Sequence, residues 1–267
     1  MGPKLTFLRF VDLKFALLEY QYSTASMWEE WSTKLFGISL DLPSTNLDST
    51  TKFSPPPGPD ESTASEGRTR PNERASKAPF LWQSPNSNAM LFLGEKWVEL
   101  HGFVSKSLEA QSVLKPPPSL LSEKLVSKKY PAWLEHALRL ARIRGYWTLY
   151  PSQLTASVVA AVHNDLYKPP EEYQEEAVVG KKDRDTEVHL ESMSFLDSLP
   201  KKGGFPPFQE LPLLSWDGER KDLQDFDRQA AEYATNFRRS VGGCGHESLH
   251  ESAPDPAAQD LFCQKAE

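Results

Sequence analysis

Apolar positions recur at two spacings along this chain, and each spacing predicts a different element. Leu8, Val11, Phe15, Leu18 and Tyr22 fall three and four residues apart, the pattern of an amphipathic helix. Ile38, Leu40 and Leu42 alternate with polar neighbours, which predicts a half-buried strand. "FLWQ" and "AMLFLG" predict short strands flanking a turn at "SPNSN", where proline, asparagine and serine favour chain reversal. From Glu95 to Gln111 the period is helical. Trp97, Leu100, His101, Val104 and Leu108 share one face, and Glu95, Glu99 and Lys106 share the other. The next helix has Pro131 in its first turn and buries Leu134, Ala137, Leu138 and Ala141. Arg139, Arg142 and Arg144 suit its C-terminal end, and Gly145 suits a left-handed cap. "YWTLYP" then predicts a strand and "SQLTASVVAAVHNDLY" a helix. "GGFPPFQELPLLSWDG" reads as extended and turn-rich, packed through Phe205, Phe208, Leu211 and Trp216. Leu223, Phe226, Ala230, Tyr233 and Phe237 form the stripe of a last helix, stopped by "VGGCG". Helix, strand and helix in quick succession predict an α/β architecture.

Composition divides the chain further. Residues 43–78 turn to Ser, Thr, Pro and Gly and are expected to form a disordered loop, and residues 168–190 an acidic flexible insert. The remaining units are an N-terminal helix and strand (1–42), an α/β core segment (79–167), a C-terminal packing segment and helix (191–243) and a flexible tail (244–267). With 39% hydrophobic residues and 22 prolines in 267, the chain reads as a compact domain with long flexible inserts. A formal charge of −7 with no concentrated basic face argues against a nucleic-acid partner. Lys4, Arg9, Asp12, Lys14 and Glu19 interrupt the apolar N-terminus, so no membrane span is expected. Cys244 and Cys263 fit free thiols in a reducing compartment or a closed short loop in a secretory lumen.

No short motif carries chemistry on its own. Asp183 and Asp185, and Asp225 and Asp227, have the Asp-x-Asp form that holds a divalent ion. The first pair lies in the acidic insert, and on a helix residues two apart splay away from each other, so no metal site is assigned. His101 falls on the apolar stripe of its helix, either as a buried ring or facing a cleft, where it would bind a sugar hydroxyl or act as a base. Trp82, Trp97, Trp133 and Trp147 fit core packing or sugar stacking, and Asn86 and Asn88 fit turn hydrogen bonds.

Longer blocks are more specific. "LKFALLEYQYS", "FGISLDLPS", "PFLWQSPNSNAMLFLGEKWVELHGFVS", "VSKKYPAWLEHALRLARIRGYWTLYPS", "HNDLYKPPEEY", "LPLLSWDG" and "FRRSVGGC" occur in an order that resembles fungal glycosyltransferase-2-like proteins, type II membrane proteins of the Golgi or secretory pathway. The resemblance covers their C-terminal portion. It implies a partial GT-A-like fold supplying the acceptor side of a cleft, with the membrane anchor and the donor-binding half expected to be missing from this chain. Intact relatives are expected to transfer a sugar from a nucleotide-sugar donor, with Mn²⁺ or Mg²⁺, to a glycan or glycoconjugate acceptor. A non-catalytic structural or binding fragment is the alternative. By position in the resemblance, Trp82, Gln83, Asn86, Asn88 and Trp97 are acceptor-cleft candidates and His101 the catalytic candidate. A lumenal location implies a Cys244–Cys263 disulfide.

Overall fold

Leu35, Phe36 and Ile38 are all buried, because their strand lies inside a sheet and not at its margin. This is β1 (Leu35–Ser39), one of five strands in a computed structural model that describes residues 33–47, 51–57, 79–86, 90–126, 132–153, 210–244 and 260–263. The helix expected at 8–22, most of that at 152–167, the 168–190 insert, Pro131, Asn88, Phe205 and Phe208 fall outside the described residues. The other strands are β2 (Phe80–Trp82), β3 (Met90–Phe92), β4 (Trp147–Tyr150) and β5 (Leu213–Leu214). Among the described residues four helices accompany them: α1 (Gly94–Val113), α2 (Ser119–Ser122), α3 (Trp133–Arg144) and α4 (Leu223–Ser240). The described residues thus form an α/β structure.

The sheet order is β3-β1-β4-β2-β5. β1 runs parallel to β4 and antiparallel to β3, while β2 runs antiparallel to β4 and parallel to β5. The two strands expected around "SPNSN" do exist, but they are not neighbours. Two strands, β4 and β1, separate β2 from β3, so the pair does not form a hairpin. The expected alternation of Ile38, Leu40 and Leu42 is also displaced. The strand starts at Leu35, and its central place buries side chains on both faces, which erases the alternation.

Along each strand the side chains point to opposite faces in turn. Leu81, Trp147 and Leu149 meet Phe226 of α4 on one face, with the Trp147 and Phe226 rings 5.4 Å apart. Phe80, Trp82 and Tyr150 point to the other, where Phe53 stacks on Trp82 at 4.7 Å and on Phe80 at 5.8 Å. Within the expected disordered loop, residues 43–47 and 51–57 are described and are packed against the sheet. A β-bridge between Thr45 and Lys52 folds them back, and Phe53 is buried on the sheet. Burying Phe53 offsets roughly 1.5–3 kcal/mol of the ordering cost.

α3 buries Leu134, Ala137, Leu138 and Ala141 and ends at Gly145, whose φ of 66° is the left-handed cap. α1 is rotated from the expected face. Its buried residues are Lys96, Leu100, Phe103 and Ser107, because Phe103 packs against Phe237 of α4 at 5.5 Å and Lys96 reaches Tyr146. Trp97 and Leu108, expected in the core, are about half exposed (53% and 51%).

The expected flexible tail is tied back at residues 260–263. Cys263 forms a disulfide with Cys244 (Cα–Cα 5.0 Å), its N–H donates to the Gly242 carbonyl, and Arg238 Nε donates to the Asp260 carbonyl. Leu261 is buried, and Phe262 sits 5.6 Å from Phe237 and 6.0 Å from Phe103.

Candidate functional site

The expected cleft residues divide into frame, surface and wall. Trp82 belongs to the frame: it is fully buried, and its Nε1–H donates to the Ser215 carbonyl at 2.9 Å. Asn86 is buried as well. Its Nδ2 donates to Ser39 Oγ (2.7 Å) and to the Asp41 carbonyl (2.9 Å), fastening the segment after β2 to the end of β1. Trp97 lies on the surface beside Phe92, at 5.4 Å. His101 is not the buried ring of the first reading, since it is exposed, and it lines neither hollow described below. It lies on the solvent side of α1, where its carbonyl accepts from Ser105 Oγ.

Gln83 lines an open hollow. Its side chain is buried (5% exposed) and bridges two elements. Nε2 donates to the Ala141 carbonyl in the last turn of α3, and Oε1 accepts from the Trp216 N–H, each at 3.3 Å. The Trp216 turn is locked again by Ser215 Oγ, which donates to Asp217 Oδ1 (2.6 Å). These bonds hold one wall of a hollow of about 280 Å³ between α3 and α4.

The opposite wall is a face of α4. Phe226, Ala230, Ala234 and Phe237 turn to the core, which leaves Gln229, Glu232, Tyr233 and Asn236 on the hollow side at helical spacing. Arg142 enters from α3, and its guanidinium lies 4.2 Å from the Trp216 ring centroid and 4.0 Å from that of Tyr233. Each such contact is worth roughly 0.5–2 kcal/mol, more when water is excluded. Burial lowers the Arg142 pKa from its ordinary value, while Tyr233, Glu123 and Asp217 act the other way. Burial also raises the Tyr233 hydroxyl, partly opposed by Arg142.

Two other polar assemblies are accounted for within the fold. Glu99, expected on the face away from the apolar stripe, links α1 to the end of α3 and to Tyr146: Arg144 Nε donates to its Oε1 (2.8 Å) and the Tyr146 hydroxyl to its Oε2 (2.7 Å). Burial first, then Glu99, holds the Tyr146 hydroxyl far above the ordinary tyrosine range. Lys96 Nζ donates to that hydroxyl at 3.2 Å. A second hollow, of about 520 Å³, lies beside β5 against Leu81, Trp147 and Leu213. Of its polar groups, Asp222 caps α4 through the Asp225 N–H and Lys221 pairs with Glu219, while Glu210 and Arg220 border it as well.

Asp225 and Asp227 are held separately, by Arg228 and by Lys34. Among the described residues no group of three or more His, Cys, Asp or Glu side chains is placed to hold a metal ion. Comparison with protein-family models, curated proteins and solved structures yields no match.

Proposed function

We propose that this chain is the acceptor-binding part of a glycosyltransferase-type protein, a GT-A-like half that takes a glycan in the hollow between α3 and α4. The wall composition carries this reading. Trp216 and Tyr233 bring aromatic surface to the hollow with Arg142 over both rings, and the side chains of Gln229, Asn236 and Glu232 offer donors and acceptors that match hydroxyl groups. At about 280 Å³ the hollow suits a unit the size of one sugar residue more than a drug-sized ligand. The ordered blocks that resemble fungal glycosyltransferase-2-like proteins, and a disulfide that fits a secretory lumen, support the same reading. Mn²⁺ or Mg²⁺ with a nucleotide sugar would serve the donor side. No described residue is assigned to that chemistry, and no step is routed through it.

Saturation-transfer NMR on the whole chain with a panel of oligosaccharides tests the reading. Binding that falls about tenfold or more in Trp216→Ala and Tyr233→Ala, with both variants folded by circular dichroism, is the expected result. A chain that binds no sugar and turns over no nucleotide sugar in the presence of Mn²⁺ sinks it.

A further inference from the structure

α3 carries three arginines near its C-terminal end, and two of them are paid in full by the fold. Arg139 donates to the carbonyls of Leu121 (3.1 Å) and Glu123 (2.7 Å), and Arg144 pairs with Glu99. Arg142 is different. Among the described residues its guanidinium makes no hydrogen bond and no ion pair, although it is half-buried. Its guanidinium lies over the rings of both Trp216 and Tyr233, and its N–H donors stand without an acceptor at the border of the hollow.

We infer that Arg142 is a carboxylate-reading residue, and that the glycan unit taken by this hollow is an acidic sugar of the uronic acid type. The inference rests on the acceptor reading above and names its substrate class. The chemistry follows from what Arg142 lacks. A partly desolvated cation without an acceptor is unfavourable, and a planar carboxylate supplies two oxygens in the plane where the fork of donors points. A neutral hydroxyl supplies one, uncharged. The stacked rings fix the guanidinium before the ligand arrives, so little side-chain freedom is lost on binding. Gln229 and Asn236 border the same space with amide donors. Glu232, exposed at the rim, is suited to a sugar hydroxyl, and its like charge directs the carboxylate toward Arg142. The chain as a whole is anionic at −7, so no general attraction would hold such a ligand without this one cation.

Calorimetric titration of the whole chain with methyl β-glucoside, methyl β-glucuronide and a glucose phosphate, at one ionic strength, tests it. The glucuronide is expected to bind at least about tenfold tighter than the glucoside. Arg142→Gln should remove that preference, and Arg142→Lys should restore part of it. Equal affinity of the wild-type chain for glucuronide and glucoside, or a preference that survives Arg142→Gln, overturns the inference without touching the acceptor reading. Tighter binding of the phosphate than of the glucuronide overturns the carboxylate assignment in favour of phosphate. Failure of all three, together with the wider sugar panel, overturns both readings. The wild-type comparison stands even where a variant fails to fold.

Discussion

Gln83 and His136 show how differently two polar side chains that reach into the fold can be treated. Gln83 has both ends satisfied and so fixes a wall, whereas His136 Nδ1 is buried with no hydrogen-bond partner. Burial, then the neighbouring Arg139, lowers the His136 pKa below the ordinary 6.5, against a smaller opposing effect of Glu135. The folded state therefore holds a proton less readily than the unfolded chain. Above about pH 6.5 both states are neutral and His136 adds no pH dependence; as pH falls below that value the unfolded state gains the proton first and stability drops. Melting curves between about pH 8 and about pH 5 should show a steeper loss in the wild-type chain than in His136→Gln. Identical slopes would refute this. The candidate site was legible in the sequence at one residue only. Gln83 sits in a block singled out by resemblance, but Arg142 reads as a helix-end cation and Trp216 and Tyr233 as packing residues. Their meeting depends on elements more than seventy positions apart, which no local pattern encodes.

At the scale of elements, legibility follows how cleanly apolar residues mark a face. α3 is readable because Leu134, Ala137, Leu138 and Ala141 form an uninterrupted stripe with a glycine cap after it. α1 is not, because Lys96 and Ser107 occupy its buried stripe while Trp97 and Leu108 stand outside. The lysine is tolerated there since its ammonium reaches the Tyr146 hydroxyl and lies 4.3 Å from that ring's centroid. β1 misleads for another reason: its pairing on both sides demands close approach at Gly37. A Cβ there would collide with the Leu91 carbonyl oxygen of β3, backbone that has no room to yield. Gly37→Ala should destabilise by about 1–3 kcal/mol and loosen the β1–β3 pair. In contrast, Gly102 in α1 has open space around it, and Gly102→Ala should stabilise by about 0.5–1 kcal/mol. Thermal melts of the two variants moving in the same direction would contradict this account.

The whole molecule is closed by the 260–263 segment, which clasps α4 and touches α1 through Phe262. A crosslink over a sequence separation of 19 removes unfolded-state freedom worth about 3 kcal/mol. Cys244→Ser, or reductant, should lower stability by about that amount and expose Phe262, and non-reducing mass spectrometry should show the mass deficit of a closed disulfide. Free thiols in material from the secretory pathway would count against it. The sheet order has a further consequence. β2 is made early, yet both its neighbours, β4 and β5, are made late. β1 and β3 have each other once Phe92 has left the ribosome, but Phe80, Leu81 and Trp82 must wait, the last neighbour arriving only at Leu213. At roughly 5–20 residues per second, adding about 130 residues leaves that apolar strand without its full cover for on the order of ten seconds. The hazard for this chain thus lies in its synthesis: a nascent strand exposed that long is a natural client for a chaperone, and expression yield should depend on one more than the folded stability suggests.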